Sequence, residues 1–419
     1  MPTDPIPPRP ALTPAERANQ RNAVLAGFLG WTLDAFDFFV LTLVLDDVAK
    51  AFGRSRPEIA LAITLTLAMR PIGAIVFGMM ADRYGRRIPL MLNVIFYAII
   101  SVLCGLAPSY QTFLILRALF GIGMGGEWGV GASLALESAS PGLRGLLSGL
   151  LQEGYAMGNL LAALAFRTVY PYFNAQYPGN GWRVMFFIGG LPALLSLFIR
   201  AKVQESEAWH EHRTDWETYK RSLLANSKRF AYLVLLMTMM NFISHGTQDM
   251  FPTLLGTIGF DKGRIADITM LSMIGAVLGG LVFGYYSDLG GRRRAMMAAI
   301  ACALVVVPFW IGGQAMPTIV VGVFLMQFFV QGAWGVIPAH INELSPGQLR
   351  GFFPGFAYQL GTLFASSIPF IESALGERFT YRQSMGGLVT AVLIGGFLVT
   401  LFGPEAHRIS FRKSHAASS

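Results

Sequence analysis

Residues 78–87 read Gly78-Met79-Met80-Ala81-Asp82-Arg83-Tyr84-Gly85-Arg86-Arg87, and residues 284–293 read Gly284-Tyr285-Tyr286-Ser287-Asp288-Leu289-Gly290-Gly291-Arg292-Arg293. The two copies stand 206 residues apart. The same shift carries Gly126, Trp128 and Gly129 onto Gly332, Trp334 and Gly335, and Glu137, Arg144, Gly145 and Gly149 onto Glu343, Arg350, Gly351 and Gly355. So many coincidences at one offset mark an internal repeat. Each copy of the motif lies between long apolar runs, so the repeated unit is a set of spans rather than a soluble module.

Outward from the motif, the chain is 53% hydrophobic and only 13% charged, with the charges clustered between apolar stretches. A helix needs about 20 apolar residues to cross a bilayer. Runs of that length fall at 22–46, 58–80, 89–107, 111–138, 148–170, 182–200, 229–252, 265–287, 295–313, 317–341, 351–373 and 384–403. Barrel strands would be half as long and would alternate apolar with polar, which Ala301–Phe309 does not. The expected fold is an all-α polytopic membrane protein of twelve transmembrane helices in two pseudo-symmetric six-helix halves. The halves are 1–199 and 229–419, joined by a polar linker at 200–228. Six spans per unit make the repeat parallel, with the halves facing each other across a central path.

The net charge of +8 is a matter of topology. Of 32 Lys and Arg, 21 lie on the termini and every second loop and seven on the opposite loops, so both termini and the linker are expected in the cytoplasm. This placement argues against nucleic-acid binding. Cys104 and Cys302 lie in separate halves within apolar spans and read as packing residues. Met1–Gln20 lacks the order of a signal peptide, so the first span is expected to be retained.

The paired motif resembles the loop signature of the major facilitator superfamily, between spans 2 and 3 and again between 8 and 9. The resemblance implies alternating access by two rocking halves. Gly78 and Gly85 permit close approach, and Asp82, Arg83, Arg86, Asp288 and Arg292, with Glu137, Arg144, Glu343 and Arg350, form a charge cluster fit to lock one state.

Elsewhere the repeat fails. Arg70, Arg117 and Glu127 have counterparts Ala276, Val323 and Ala333, so something other than the fold requires them. Arg70 stands about 18 Å of helix from either end of its span, at the midplane, where a charge costs at least ~2.5–3.5 kcal/mol. It is a candidate for binding a carboxylate through two parallel hydrogen bonds; the alternative is a permanent bridge to Glu127 or a first-span Asp. Asp34 and Asp37, three apart, share a helix face and are proton-carrier candidates, with Arg117 as partner. That arrangement resembles the proton-coupling pair of related sugar symporters. Glu153, Asn159 and Gln359 are further cavity candidates, while Trp128 and Trp334 read as packing.

One run has no counterpart in the first half: Asn241-Phe242-Ile243-Ser244-His245-Gly246-Thr247-Gln248-Asp249-Met250-Phe251-Pro252-Thr253. At 100° per residue Asn241, Ser244, His245 and Gln248 share one side of a helix, and His245 can pair with Asp249 as a titratable unit. The run is similar to the seventh-span signature of the fungal lactate permeases, grouped with the sialate:proton symporters. It implies a proton-coupled carrier of lactate, pyruvate or another short monocarboxylate, with Asn241, Ser244, His245, Gln248 and Asp249 along the path. Val203-Gln204-Glu205-Ser206 reads as the start of a cytoplasmic helix capped by Ser206.

No Walker loop, metal-ligand cluster or nucleophile triad occurs, and neither an enzyme nor a cofactor is expected. The expectation is a monomeric carrier in a cell membrane, bacterial inner membrane by preference, whose partners are a small carboxylate, protons and lipid. A larger sialic or aromatic acid is the alternative substrate, and a nutrient sensor the alternative class.

Overall fold

The computed structural model describes residues 13–411 apart from 250, 314, 369, 370, 372, 373, 376, 377 and 408. Among the described residues every regular element is a helix. The first span, Pro14–Leu43, begins earlier than the hydropathy predicts, because Thr13 and Glu16 cap each other: the Glu16 amide donates to Thr13 Oγ1 at 3.2 Å and the Thr13 amide to Glu16 Oε2 at 2.8 Å. The second to fourth spans are Arg56–Tyr84, Arg87–Leu106 and Tyr110–Ser138. The sixth comprises Gly181–Ile188 and Ala193–Lys202, and the seventh Ser227–Gln248 with Phe251–Thr257. The eighth to tenth are Lys262–Gly290, Arg292–Gly312 and Met316–Leu344, and the twelfth is Tyr381–Phe402.

Ten of these helices are long and apolar enough to cross a membrane. The fifth and eleventh depart from the expected single rods. The fifth is split into Arg144–Gln152 and Gly154–Gln176 at Glu153, whose backbone stays near helical, so the span bends rather than ends. The eleventh helix is Phe353–Ala365. It stops where Ser366 and Ser367 turn their hydroxyls onto the carbonyls of Leu363 and Phe364 at 2.7 and 2.8 Å, competing with the helical ladder. Part of the expected 351–373 span lies outside the described residues.

Packing follows the repeat. The second span lies on the fourth as the eighth lies on the tenth. Across the halves, the Arg144–Gln152 helix packs on the eighth and tenth spans, and the eleventh on the second and fourth. One buried apolar cluster, including Val40, Leu90, Phe113 and Trp182, fills the first half. Another, including Leu233, Met296, Val330 and Leu393, fills the second and takes in Trp31 and Trp128 from the first.

The segment after the sixth span forms two short helices, Glu207–His212 and Trp216–Ala225. Ser206 caps the former by accepting the Trp209 amide at 3.2 Å, as the sequence predicts. Asp215 caps the latter, and the Thr218 amide it accepts holds its carboxyl below the usual range.

Candidate functional site

Arg70 is positioned by glycine. A Cβ at Gly125 of the fourth span would stand 1.8 Å from the Arg70 carbonyl, so only glycine lets the second span approach this closely. The Arg70 side chain is buried, and its Nε and Nη2 have no hydrogen-bond partner. It joins none of the ion pairs among the described residues. The permanent bridge to Glu127 or a first-span Asp is therefore absent from this state. The guanidinium carbon instead stands 6.0 Å from the Trp31 ring and 5.7 Å from that of Tyr358.

Asp34 faces this arginine. It is fully buried, neither carboxylate oxygen has a partner, and Arg70, Asp37 and Arg117 lie within electrostatic reach. Asp37, one turn on, turns toward the third and sixth spans: it accepts Ser101 Oγ at 2.7 Å, and its Oδ1 rests on Gly189. Arg117 is its nearest cation in effect. Arg117 is also fully buried, 4.0 Å above the Phe120 ring, with Nε and Nη1 unpartnered. Glu127 presses against Gly30 of the first span, buried with both oxygens unpartnered and only Asp34 acting on it electrostatically.

The second half contributes neutral amides and hydroxyls and, at the edge of the site, one His–Asp pair. Gln248 Nε2 donates to Gln327 Oε1 at 2.8 Å, Gln331 Nε2 to Ser244 Oγ at 3.2 Å, and Thr362 Oγ1 to Asn241 Oδ1 at 3.3 Å. The polar face of the seventh span therefore hydrogen-bonds to the tenth more than to the eleventh, although the helix as a whole packs more on the eleventh. His245 Nδ1 and Asp249 Oδ2 are 3.0 Å apart, more than a third exposed. Gln359 is buried and donates from Nε2 to the Gly125 carbonyl at 3.4 Å, tying the halves together beside Arg70. Glu153, its partner in the repeat, rests against Gly280 of the eighth span, while Asn159 is exposed.

Between the two sets lies a layer of rings. Tyr358 stacks on Trp128 at 4.5 Å and meets Trp31 and Trp334 edge-on at 6.3 and 5.8 Å, and Trp31 stacks on Tyr155 at 5.4 Å. Tyr155 is within electrostatic reach of Arg70, Asp34 and Asp249 together. Trp128 and Trp334, read as packing residues, do pack, and they do so around Tyr358. Sequence reasoning passed over Tyr155, Tyr358, Gln327 and Gln331. Gln327 and Gln331, four apart where the repeat has Gly121 and Gly125, were a signal it could have used.

The end bearing the signature loops is shut. Arg86 donates to Asp82 Oδ1 at 2.9 Å and to Glu137 Oε1 at 3.1 Å, and Asp82 accepts the amides of Gly351 and Phe352 at 2.6 and 3.1 Å from across the interface. The mirror set is Arg292 with Asp288 at 2.8 Å and Glu343 at 2.9 Å, and Asp288 with the amides of Gly145 and Leu146 at 2.8 and 2.9 Å. Arg144–Glu343 at 3.5 Å and Arg350–Glu137 at 3.2 Å cross between halves. At Gly78 a Cβ would lie 2.9 Å from Phe352 Cα. Arg83 reaches outward to the Thr214 carbonyl at 2.8 Å, and Gly85 turns the loop at φ 99°.

Both halves end in a matching brace. Glu205 accepts the Arg86 and Arg87 amides at 2.8 and 3.1 Å, and Trp209 Nε1 donates to the Asp82 carbonyl. Glu405 accepts the Arg292 and Arg293 amides at 3.2 and 3.1 Å, and His407 Nε2 meets the Asp288 carbonyl. Beyond it the buried Phe411 ring sits 3.6 Å from the Arg144 guanidinium carbon and 3.9 Å from that of Arg350, wedged between the halves. A groove of about 1260 Å³ also opens here, lined by Arg17, Arg21, Phe28, Ser140, Arg144 and Phe411. None of the Arg70 cluster borders it.

Residues 22–266 match the family described as Sugar (and other) transporter, and residues 234–417 match the Major Facilitator Superfamily. The chain belongs to the Major Facilitator Superfamily. It is 27% identical to the Carboxylic acid transporter protein homolog of Saccharomyces cerevisiae, over 91% of this chain and 67% of the relative. It is 28% identical to the Sialic acid transporter NanX of Escherichia coli, over 92% and 94%. A solved structure of the proton:xylose symporter XylE, bound to 6-bromo-6-deoxy-D-glucose, matches with a TM-score of 0.72 at 19% identity, covering 94% of this chain and 98% of that one, and shows the shared fold. This facilitator is a multi-pass membrane transport protein and not an enzyme.

Proposed function

We propose that this facilitator is a proton-coupled symporter of a small monocarboxylate, lactate or pyruvate by preference. The observation that carries the reading is Arg70: a buried guanidinium with two unpartnered nitrogens and Asp34, not a bonded carboxylate, as its counter-charge. Two arginines face three carboxylates in the first half. Asp37 lies in the field of Arg117 and Asp34 in that of Arg70, while Glu127 has no cation in reach and completes a neutral set when it carries a proton. A substrate carboxylate arriving at Arg70 takes over the charge that Asp34 balanced. Asp34 then holds its place in low dielectric by binding a proton, so anion and proton enter together.

The seventh-span face, with Gln248, Ser244 and the His245–Asp249 pair, forms the opposite wall. The cross-half charge pairs and the Asp82 and Asp288 contacts hold the signature end shut, and rocking of the halves about the 200–228 linker exchanges them for water. Both termini face the cytoplasm of a bacterial inner membrane, and the chain works as a monomer. The carboxylate-transporting relatives support the substrate class. A larger acid remains the second reading, favoured by the likeness to a sialic acid transporter and by the rings beside Arg70.

Proteoliposomes loaded at neutral pH and placed in acid buffer test the reading: labelled lactate accumulates, and dissipating the gradient with a protonophore abolishes it. No accumulation of any acid in a panel of lactate, pyruvate, benzoate and sialate, with no counterflow, would sink it.

A further inference from the structure

We propose that the third span lines an internal water-binding chamber within the first half, through which protons reach Asp34 without entering the substrate path. The inference rests on the proton-coupled reading above, and the third-span residues it adds lie outside the proposed substrate site. Asn93, Tyr97 and Ser101 stand four apart and share one face of the helix. All three are fully buried. Both amide atoms of Asn93 and the Tyr97 hydroxyl have no partner, and neither do both oxygens of Asp34 and Glu127, Asp37 Oδ2, or Nε and Nη1 of Arg117. Buried polar atoms left unsatisfied cost about 1–3 kcal/mol each, and clusters of them are where proteins bind ordered water with two to four polar contacts apiece.

Tyr97 is the hub. Its hydroxyl lies within electrostatic reach of Asp34, Asp37 and Glu127. Ser101 Oγ extends the line by donating to Asp37 and lying 3.1 Å from the Phe186 carbonyl. The titratable and charged groups that act on these carboxylates are Asp34 and Asp37 from the first span, Cys104 from the third, and Arg117 and Glu127 from the fourth, with Arg70 of the second span and Tyr155 of the fifth reaching Asp34 from the substrate side.

The repeat supplies an internal control. The positions matching Asn93, Tyr97 and Ser101 are Ala299, Ala303 and Val307, all buried, so the fold packs its third span without polar groups. A hydroxyl that can both accept and donate, placed among three carboxylates, passes protons along water.

The test compares the full-length protein with Tyr97→Phe and with Asn93→Ala/Ser101→Val in proteoliposomes. Acid-driven lactate uptake should slow about tenfold in Tyr97→Phe, the scale of one lost hydrogen bond, while counterflow at equal pH stays within twofold. Wild-type rates in both variants would overturn the proposal. Should a variant fail to fold, radiolytic hydroxyl footprinting of the unaltered protein decides: oxidation of Tyr97 despite its burial supports bound water, and an unreacted Tyr97 overturns it. If the parent shows no response to the gradient, the coupling reading fails, and the footprint still decides whether the chamber is wet.

Discussion

The two halves share one fold and differ inside it. In the first half Asp34, Asp37, Arg70, Tyr97, Arg117 and Glu127 are buried together; at the matching positions the second half has Met240, Ile243, Ala276, Ala303, Val323 and Ala333, all buried and apolar. At the signature end the halves agree, with Asp82, Arg86 and Glu137 mirrored by Asp288, Arg292 and Glu343. The closing ion pairs are therefore a symmetric property of the repeat, while the interior charge belongs to one half. Because the second half packs without it, the interior charge of the first is not a requirement of folding. The division fits the proposed roles: charge exchange in the first half, neutral hydrogen bonding through Asn241, Gln248, Gln327 and Gln331 in the second.

The largest effect should come from the charge that breaks the repeat at the midplane. Removing one partner of a buried charge-assisted pair costs about 2–5 kcal/mol, roughly 30- to several-thousand-fold in affinity. Arg70→Ala should abolish lactate binding, and Arg70→Lys should rescue it poorly because the two-pronged geometry is gone. Isothermal titration on folded protein checks this. Affinity within a few-fold of the parent would make Arg70 structural and move the carboxylate site to the second half.

Next is the carboxylate opposite it. One pH unit drives up to about tenfold accumulation in one-to-one symport, since a tenfold ratio is about 1.4 kcal/mol. Asp34→Asn should remove that accumulation and leave counterflow, with uptake no longer rising as the outer side is acidified. His245→Gln should leave accumulation in place and shift its pH dependence by no more than a few-fold. The reverse pattern would transfer coupling to the seventh span.

Much of the fold was legible in the sequence, for a physical reason. Glycines at close helix crossings and loop charges at a fixed offset are spacing signals, and spacing survives in one dimension. The charges that break the repeat stand out because the repeat supplies the expectation they violate. Tyr97 and Asn93 were harder to see because aromatic and amide residues are common in membrane helices, and only their burial without partners sets them apart. Tyr358 and Trp128 come from different halves, so their 4.5 Å stack cannot be read from either helix alone. The second brace is hidden in the sequence because Glu405 follows Glu205 by 200 residues rather than 206, so the two glutamates do not align at the offset of the repeat.

The wedge at the closed end joins the halves where they are otherwise alike. A desolvated cation–π contact contributes up to about 2 kcal/mol, and Phe411 makes one with an arginine from each half. Phe411→Ala should loosen the closed end by about 1–2 kcal/mol, roughly 5- to 30-fold in the conformational equilibrium. Labelling of a cysteine placed at Ser133, buried at the interface, reads that equilibrium: its rate should rise by the same factor. An unchanged rate would reduce the tail to a bystander.

The smallest effect should lie in the apolar interior, at the position that mirrors Asp34. Met240 is fully buried, and its backbone carbonyl accepts Trp334 Nε1 at 3.1 Å, a contact untouched by a side-chain change. Met→Leu conserves volume and costs less than about 1.5 kcal/mol, so Met240→Leu should melt within a few degrees of the parent. Its acid-driven accumulation should be unchanged. Met240→Asp is the sharper companion: the positions matching Arg70 and Arg117 are Ala276 and Val323, so the new carboxylate has no cation in the pattern to meet and should destabilise the fold by several kcal/mol without creating a second coupling site. A Met240→Leu protein that folds normally yet shifts the pH dependence of uptake would show that the second half takes part in proton transfer, and the division between the two interiors would fail.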